Sequence, residues 1–227
     1  DTASGKTQTC VLPSLLLNPD ASFVITDPSG ELLEKTSGYL EQQDYKIIAL
    51  DFRPGVTNSH SHNILAGELT LSRLKEIAEL LYEVSQSGAN GRSENGQFWR
   101  VQCISILFVL LWLLSLQPKK YRNLSNLRSL LQRFATSPRD IQLMILKTKN
   151  RELFEEFKTI LSAEKKIIMN AISTATTVLD KWSDPIISAL TARSNLDLNL
   201  LRECKTALFI IVPEEQVRYY KPVIALL

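Results

Sequence analysis

The first nine residues, Asp1-Thr2-Ala3-Ser4-Gly5-Lys6-Thr7-Gln8-Thr9, carry the chemistry most sharply defined by spacing. Gly5-Lys6-Thr7 matches the closing part of the phosphate-binding pattern G-x-x-x-x-G-K-[ST], whose first glycine would stand one position before Asp1. In such a loop, successive backbone N–H groups and the N-terminus of the next helix form an anion cradle. Lys6 would reach the β- and γ-phosphates of ATP, and the Thr7 hydroxyl would ligate Mg²⁺. Thr2, Ala3, Ser4, Gly5, Lys6, Thr7 and Gln8 are therefore the expected ATP-binding residues.

Asp27 follows a buried strand pattern, the position from which a parallel α/β site is addressed. It reads either as a Mg²⁺-holding acid or as a cap for the helix that begins near Ser29. Asp27 and Glu31 are kept as a candidate secondary site. The pairs Glu155-Glu156 and Glu214-Glu215 are adjacent residues, which do not face each other on a helix, so both read as solvated faces. Lys119-Lys120-Tyr121-Arg122, with Arg128 and Arg133 behind it, is a basic cluster with one aromatic. Lys119, Lys120, Arg122 and Arg128 are candidate DNA contacts; a plain solvated turn is the competing reading. The two histidines, His60 and His62, fall short of the three or four convergent ligands that zinc needs. Cys10, Cys103 and Cys204 lie far apart and odd in number, which suits a reduced compartment better than a disulfide framework.

The elements that must position these groups follow from periodicity. Residues 10–17 read as a short apolar helix stopped at Asn18-Pro19. Ser22–Thr26 and Tyr45–Leu50 are compact apolar runs, hence buried strands, and Gly30 to about Gln43 is an amphipathic helix between them. Strand, helix and strand in this order make a βαβ unit and a parallel sheet. From about Leu69 to Leu190 only helical periodicity occurs, with helices over Thr70–Val84, Gln97–Leu116 and Leu124–Phe134. A fourth opens at Ser137-Pro138, with serine as N-cap and proline at the first helical position. Strand character returns at Thr206–Val212. The expected fold is thus α/β, a parallel sheet interrupted by an inserted all-α subdomain. The boundaries are 1–66 for the first part of the sheet domain, 67–200 for the insertion and 201–227 for the return. The Thr206–Val212 strand should lie beside one of the first two.

Composition fits a globular chain of 227 residues, with 44% hydrophobic and 22% charged residues. Charge is uneven: residues 1–66 carry −4 and residues 67–204 carry +5, a hint of a polyanionic partner. The most apolar stretch, Ile104–Leu116, is thirteen residues long, short of the roughly 20 a bilayer span needs, so it reads as a core helix. The chain lacks an initial Met and stops inside Val223-Ile224-Ala225-Leu226-Leu227, so it is expected to be a fragment.

Taken in order, Gly5-Lys6-Thr7, Val11-Leu12-Pro13-Ser14-Leu15-Leu16 and Ser22-Phe23-Val24-Ile25-Thr26-Asp27-Pro28-Ser29-Gly30-Glu31-Leu32 resemble the TraG/TraD-type coupling proteins of conjugation and type IV secretion. Asn63-Ile64-Leu65 stands where the family has Asn-Pro-Leu. Gln97-Phe98-Trp99 resembles the start of the family's inserted all-α domain. Ser194–Leu198, Leu201-Arg202 and Ala207–Pro213 resemble the return to the sheet. Ser29 replaces the family's usual lysine, and Ile64 its proline.

The resemblance implies a P-loop NTPase (RecA-like) fold and a hexameric ATPase that uses ATP and Mg²⁺. Such a protein moves DNA, or relaxase-type or effector proteins, into the channel proteins of a type IV secretion system. It implies a place at the cytoplasmic face of the bacterial inner membrane, with an anchor in a preceding segment. It puts the second carboxylate motif and the catalytic glutamate beyond Leu227, so the catalytic residues are unassigned, Asp27 is not the Walker B acid, and the 227 residues alone are expected not to turn over ATP. Two alternatives stand beside this reading: an FtsK- or HerA-like DNA translocase, which the long helical insertion disfavours, and a non-hydrolysing docking adaptor, which the intact Lys6-Thr7 disfavours.

Overall fold

The computed structural model describes residues 11–18, 20–86 and 94–226, apart from the side chains of residues 94–96. The chain divides into two compact units: one takes in residues up to 62 together with 194–220, the other residues 63–193 with those from 221 onward.

The first unit is α/β. Helix α1 (Leu12–Leu17) starts with a proline in its first turn, where the missing N–H costs nothing. Strand β1 (Phe23–Thr26), helix α2 (Glu31–Gln42) and strand β2 (Lys46–Asp51) follow within a residue or two of the positions their periodicity predicts. Strand β3 (Thr206–Ile211), preceded by the single turn α10 (Leu200–Glu203), completes a sheet that among the described residues has three parallel strands in the order β1-β3-β2. Where the sequence pattern predicts one neighbour for β3, the structure gives it two. It pairs with β1 from Phe23↔Ala207 to Thr26↔Ile210, and with β2 from Lys46↔Thr206 to Asp51↔Ile211. A central strand must be apolar on both faces. In β3, Ala207, Phe209 and Ile211 pack with Leu15, Ile25, Leu32, Leu40 and Tyr45, and Leu208 is also buried.

The outer edge of β2 is sealed by its own downstream loop. His60 N–H donates to Ala49 O (2.8 Å), the Ala49 amide reaches His60 Nδ1 (3.2 Å), and the Asp51 amide donates to Ser59 Oγ (2.9 Å). Such a cover stops an edge strand from pairing with another chain. Just beyond, the Ser61 amide donates to Asn195 Oδ1 (2.7 Å) and the Asn195 amide to Ser61 O (3.1 Å). The chain therefore leaves the sheet unit and first returns to it beside one hydrogen-bonded pair, and it joins the helical unit again from residue 221.

The second unit is helical, built from α3 (Leu71–Gln86), α4 (Glu94–Ser115), α5 (Leu124–Thr136), α6 (Pro138–Thr148), α7 (Arg151–Leu161), α8 (Lys165–Val178) and α9 (Pro185–Thr191). Helix α4 is its axis. Ile106 to Leu114 are buried without a break, and α3, α5, α7 and α8 all pack on it. The helix extends further N-terminally than its most apolar run. Gln97–Ser115 is thereby long and apolar enough to cross a membrane by length and composition, with 56% of that window buried inside the protein.

Side chains cap four of these helices: Thr70 accepts from the Arg73 amide, Asn123 from the Asn126 amide, Asn150 from the Leu153 amide, and Asp184 from the Ile186 and Ile187 amides. Ser137 occupies the N-cap position of α6 as expected, but its side chain makes no capping bond. That turn is set by Pro138 and by the Ser137 amide, which closes α5 on Arg133 O (2.8 Å). The last helix, α11 (Val217–Ile224), carries Pro222 within it.

Candidate functional site

In a parallel sheet the ligand side is the carboxyl end of the strands. Two acids stand there at one level. Thr26 pairs with Ile210 and the Asp27 amide donates to Ile210 O (3.0 Å), which sets Asp27 one step on, while Asp51 pairs directly with Ile211. Both are buried, Asp27 to 1% exposure and Asp51 to 4%.

Each acid is already engaged. Asp27 Oδ1 accepts from the Gly30 amide (3.0 Å) and Oδ2 from the Leu33 amide (2.9 Å). Its negative charge faces the N-terminal turn of α2, where unpaired N–H groups and the helix dipole favour an anion. Asp27 thus holds a helix start, the cap role weighed from the sequence. Glu31, in the first turn of that helix, points outward and pairs with Lys35 one turn on. The structure does not bring Glu31 and Asp27 onto a common partner.

Asp51 holds Arg53. Arg53 Nε lies 3.0 and 3.1 Å from the two carboxylate oxygens, and Nη2 lies 2.7 Å from Oδ2. Arg53 Nη1 then donates to Ser29 O (2.6 Å), so the guanidinium bridges the end of β2 to the loop after β1. The hydrogen bonds to Asp51 raise the Arg53 pKa further, and it stays charged. Gly30 has φ +82°, and a Cβ there would stand 2.6–2.9 Å from the guanidinium. Only glycine suits both the left-handed backbone and the close approach. Sequence reading missed Asp51 and Arg53, although an acid ending a buried strand is the signal that singled out Asp27. Ser29 contributes its carbonyl to Arg53 and its Oγ to the Glu31 amide (3.3 Å). The carbonyl contact does not depend on which side chain stands at 29.

The phosphate-binding candidates Thr2, Ala3, Ser4, Gly5, Lys6, Thr7 and Gln8, including the Mg²⁺ candidate Thr7, lie outside the described residues. What the described part supplies is a strand-end scaffold downstream of them. Among the described residues no group of three His, Cys, Asp or Glu side chains converges to hold a metal.

The basic cluster lies in the helical unit. Lys119–Tyr121 form one 3-10 turn, with both lysines exposed. Arg122 folds back so that Nε donates to Gln117 O (2.8 Å), and its carbonyl accepts from Asn63 Nδ2 (2.7 Å). Arg128 stands apart from that turn on α5, half-buried, and its Nε is buried without a hydrogen bond. The structure therefore gathers Lys119, Lys120 and Arg122 on one turn and separates Arg128 from them. Glu155-Glu156 and Glu214-Glu215 are exposed.

Residues 1–227 match a family model described as type IV secretory system conjugative DNA transfer. No curated protein matches the chain.

Proposed function

Because the chain belongs to the type IV secretory system conjugative DNA transfer family, we propose that it forms the nucleotide-binding part of an ATPase that drives DNA, or protein, through a type IV secretion system. The observation that carries this reading is Gly5-Lys6-Thr7 placed ahead of a parallel strand in a chain that the family spans from end to end. On this reading the fold is a P-loop NTPase sheet of the RecA-like kind, with an all-α insertion. Thr2 to Gln8 wrap the phosphates of ATP, Lys6 neutralises the β- and γ-phosphates, and Thr7 ligates Mg²⁺. Asp27 stays with its helix, and Arg53 fixes the loop after β1 so that the strand ends keep their spacing.

The protein works as a homo-hexamer at the cytoplasmic face of the inner membrane, beside the channel proteins. The helical unit meets the cargo, and the turn at Lys119, Lys120 and Arg122 faces the phosphates of DNA. The test is binding of a fluorescent ATP analogue with Mg²⁺ to the 227-residue chain. Lys6→Ala removes a charged partner of the phosphates and should weaken binding by tenfold or more, roughly what the absence of one charge-assisted hydrogen bond costs. Equal binding by wild type and Lys6→Ala overturns the assignment.

A further inference from the structure

The helical unit holds a cavity of about 430 Å³ at the C-terminal ends of α3 and α8, beside the 3-10 turn Asp180–Ser183. Pockets that enclose small organic ligands span roughly 300–1,000 Å³. Leu81, Val178 and Trp182 line it and are all buried, so its floor is apolar and held by the core behind it. Ser85, Thr176, Thr177, Asp180 and Lys181 supply the polar lining.

That polar lining is almost entirely one of acceptors. Ser85 Oγ donates to Tyr82 O (2.7 Å), Thr176 Oγ1 to Ile172 O (2.8 Å) and Thr177 Oγ1 to Ser173 O (3.2 Å). A hydroxyl has one proton and two lone pairs, so each of these oxygens can only accept from a further partner. Ser85 Oγ also takes a long bond from Gln86 Nε2 (3.4 Å), which leaves it one lone pair. Asp180 is exposed at the rim, and its carboxylate makes no ion pair among the described residues. The Trp182 indole N–H is committed to Thr191 Oγ1 (3.1 Å), and Lys181 already has a partner of its own. Helices α3 and α8 both end here with no basic residue in the last turn, so the negative ends of two helix dipoles add to the same sign.

We propose that this cavity binds a small organic ammonium ion, a primary amine with an apolar alkyl or aryl body. The body lies on Leu81, Val178 and Trp182, and the ammonium N–H groups donate to the Ser85, Thr176 and Thr177 oxygens and to Asp180. An ammonium brings three donors and no acceptor, which complements a lining that offers lone pairs and holds its own protons elsewhere. A carboxylate or phosphate would meet those lone pairs, the Asp180 charge and two helix ends of its own sign. A bare metal ion would leave the apolar floor unmatched, and among the described residues no three His, Cys, Asp or Glu side chains gather to hold one. Nothing in this site rests on nucleotide binding.

The experiment is isothermal titration calorimetry of the 227-residue chain with phenethylammonium at about pH 7, where an alkyl amine with a pKa of about 10 is charged. Three probes of similar shape run beside it: phenethyl alcohol without the charge, hydrocinnamate with the opposite charge, and the N-trimethyl derivative, charged but without N–H donors. Phenethylammonium should bind more tightly than all three. Thr176→Val combined with Thr177→Val keeps the shape, removes two acceptors and should weaken binding about fivefold or more. Asp180→Asn should weaken it about two- to fivefold, the scale of an exposed charge pair. Ser85→Phe, which fills the cavity from α3, should abolish it. Circular dichroism confirms that each variant keeps its helices, and the threonine pair, at exposed positions, carries the test should Ser85→Phe fail to fold. If the folded wild-type chain takes up no phenethylammonium at about 10 mM, the site is overturned. Equal binding of hydrocinnamate or of the N-trimethyl derivative overturns it too, as does wild-type affinity in the folded threonine pair.

Discussion

Asp51 and Arg53, two residues apart at the end of β2, are joined through both carboxylate oxygens, and the same guanidinium reaches Ser29 O at 2.6 Å. A pairing between near neighbours in sequence is thereby converted into a tie between the ends of two strands that are not neighbours in the sheet.

Gly30 is the tightest point of that tie. Gly30→Ala forces a left-handed φ on a residue with a Cβ and pushes the guanidinium away from Ser29. The backbone alone should cost about 1–2 kcal/mol. Denaturant unfolding of Gly30→Ala, Arg53→Ala and the double variant checks this. The double variant should be destabilised by less than the sum of the singles, because the clash disappears with the side chain.

Asp27 separates a structural acid from a metal-holding one. Asp27→Ala removes two charge-assisted bonds to backbone amides and should lower stability by about 1–3 kcal/mol. Asp27→Asn keeps an acceptor and should cost less. On the reading above, Asp27→Asn leaves Mg²⁺-dependent nucleotide binding within about twofold of wild type, a difference under the ~1.4 kcal/mol that marks a tenfold change. Abolition of the Mg²⁺ dependence in this variant would instead make Asp27 a metal ligand.

Cys103 is fully buried on α4, and burial pushes its thiol pKa from 9.0 up to about 12. The native chain therefore keeps a proton that the unfolded chain releases above about pH 9. Stability from this group is complete below pH 9 and declines progressively as pH rises toward 12. Melting temperatures of wild type between about pH 8 and pH 10.5 should fall more steeply than those of Cys103→Ala. Native Cys103 should also resist iodoacetamide, read by mass spectrometry, until the helical unit unfolds.

The helical unit supplies its own core. Residues 63–193, the unit without its segment from 221 onward, expressed alone should show strong helical circular dichroism and one cooperative melt. Leu110→Ala within it, at a position 1% exposed, should cost about 2–5 kcal/mol. A broad, non-cooperative melt of the unmutated piece would mean that α3 to α9 do not close a core by themselves.

The legible and illegible parts of the molecule divide along the range of the interactions. Helices and strands declare themselves through local periodicity, so β1, β2, β3 and the run from α3 to α6 fall close to where the residues put them. Asp27 is readable as a cap because the cap and its amides lie within six residues. The place of β3 between both other strands is not, since parallel pairing joins segments more than 150 residues apart and leaves no local mark. Arg53 escapes for the same reason: its decisive partner, Ser29, is 24 residues away. Ser137 stands at the N-cap of α6 with Pro138 after it, as the local pattern predicts, and only the capping bond from its side chain is missing.

The Ser61–Asn195 clasp bears on how such a protein can change over evolutionary time. Seen from the strands, everything between these two residues is one long excursion whose two ends are hydrogen-bonded to each other. The entropy of closing a loop grows only with the logarithm of its length, about 0.6 kcal/mol for each doubling. Helices can therefore be added, trimmed or exchanged inside the excursion while β2 and β3 scarcely register it. The strand ends and the helices are then free to drift in sequence at separate rates.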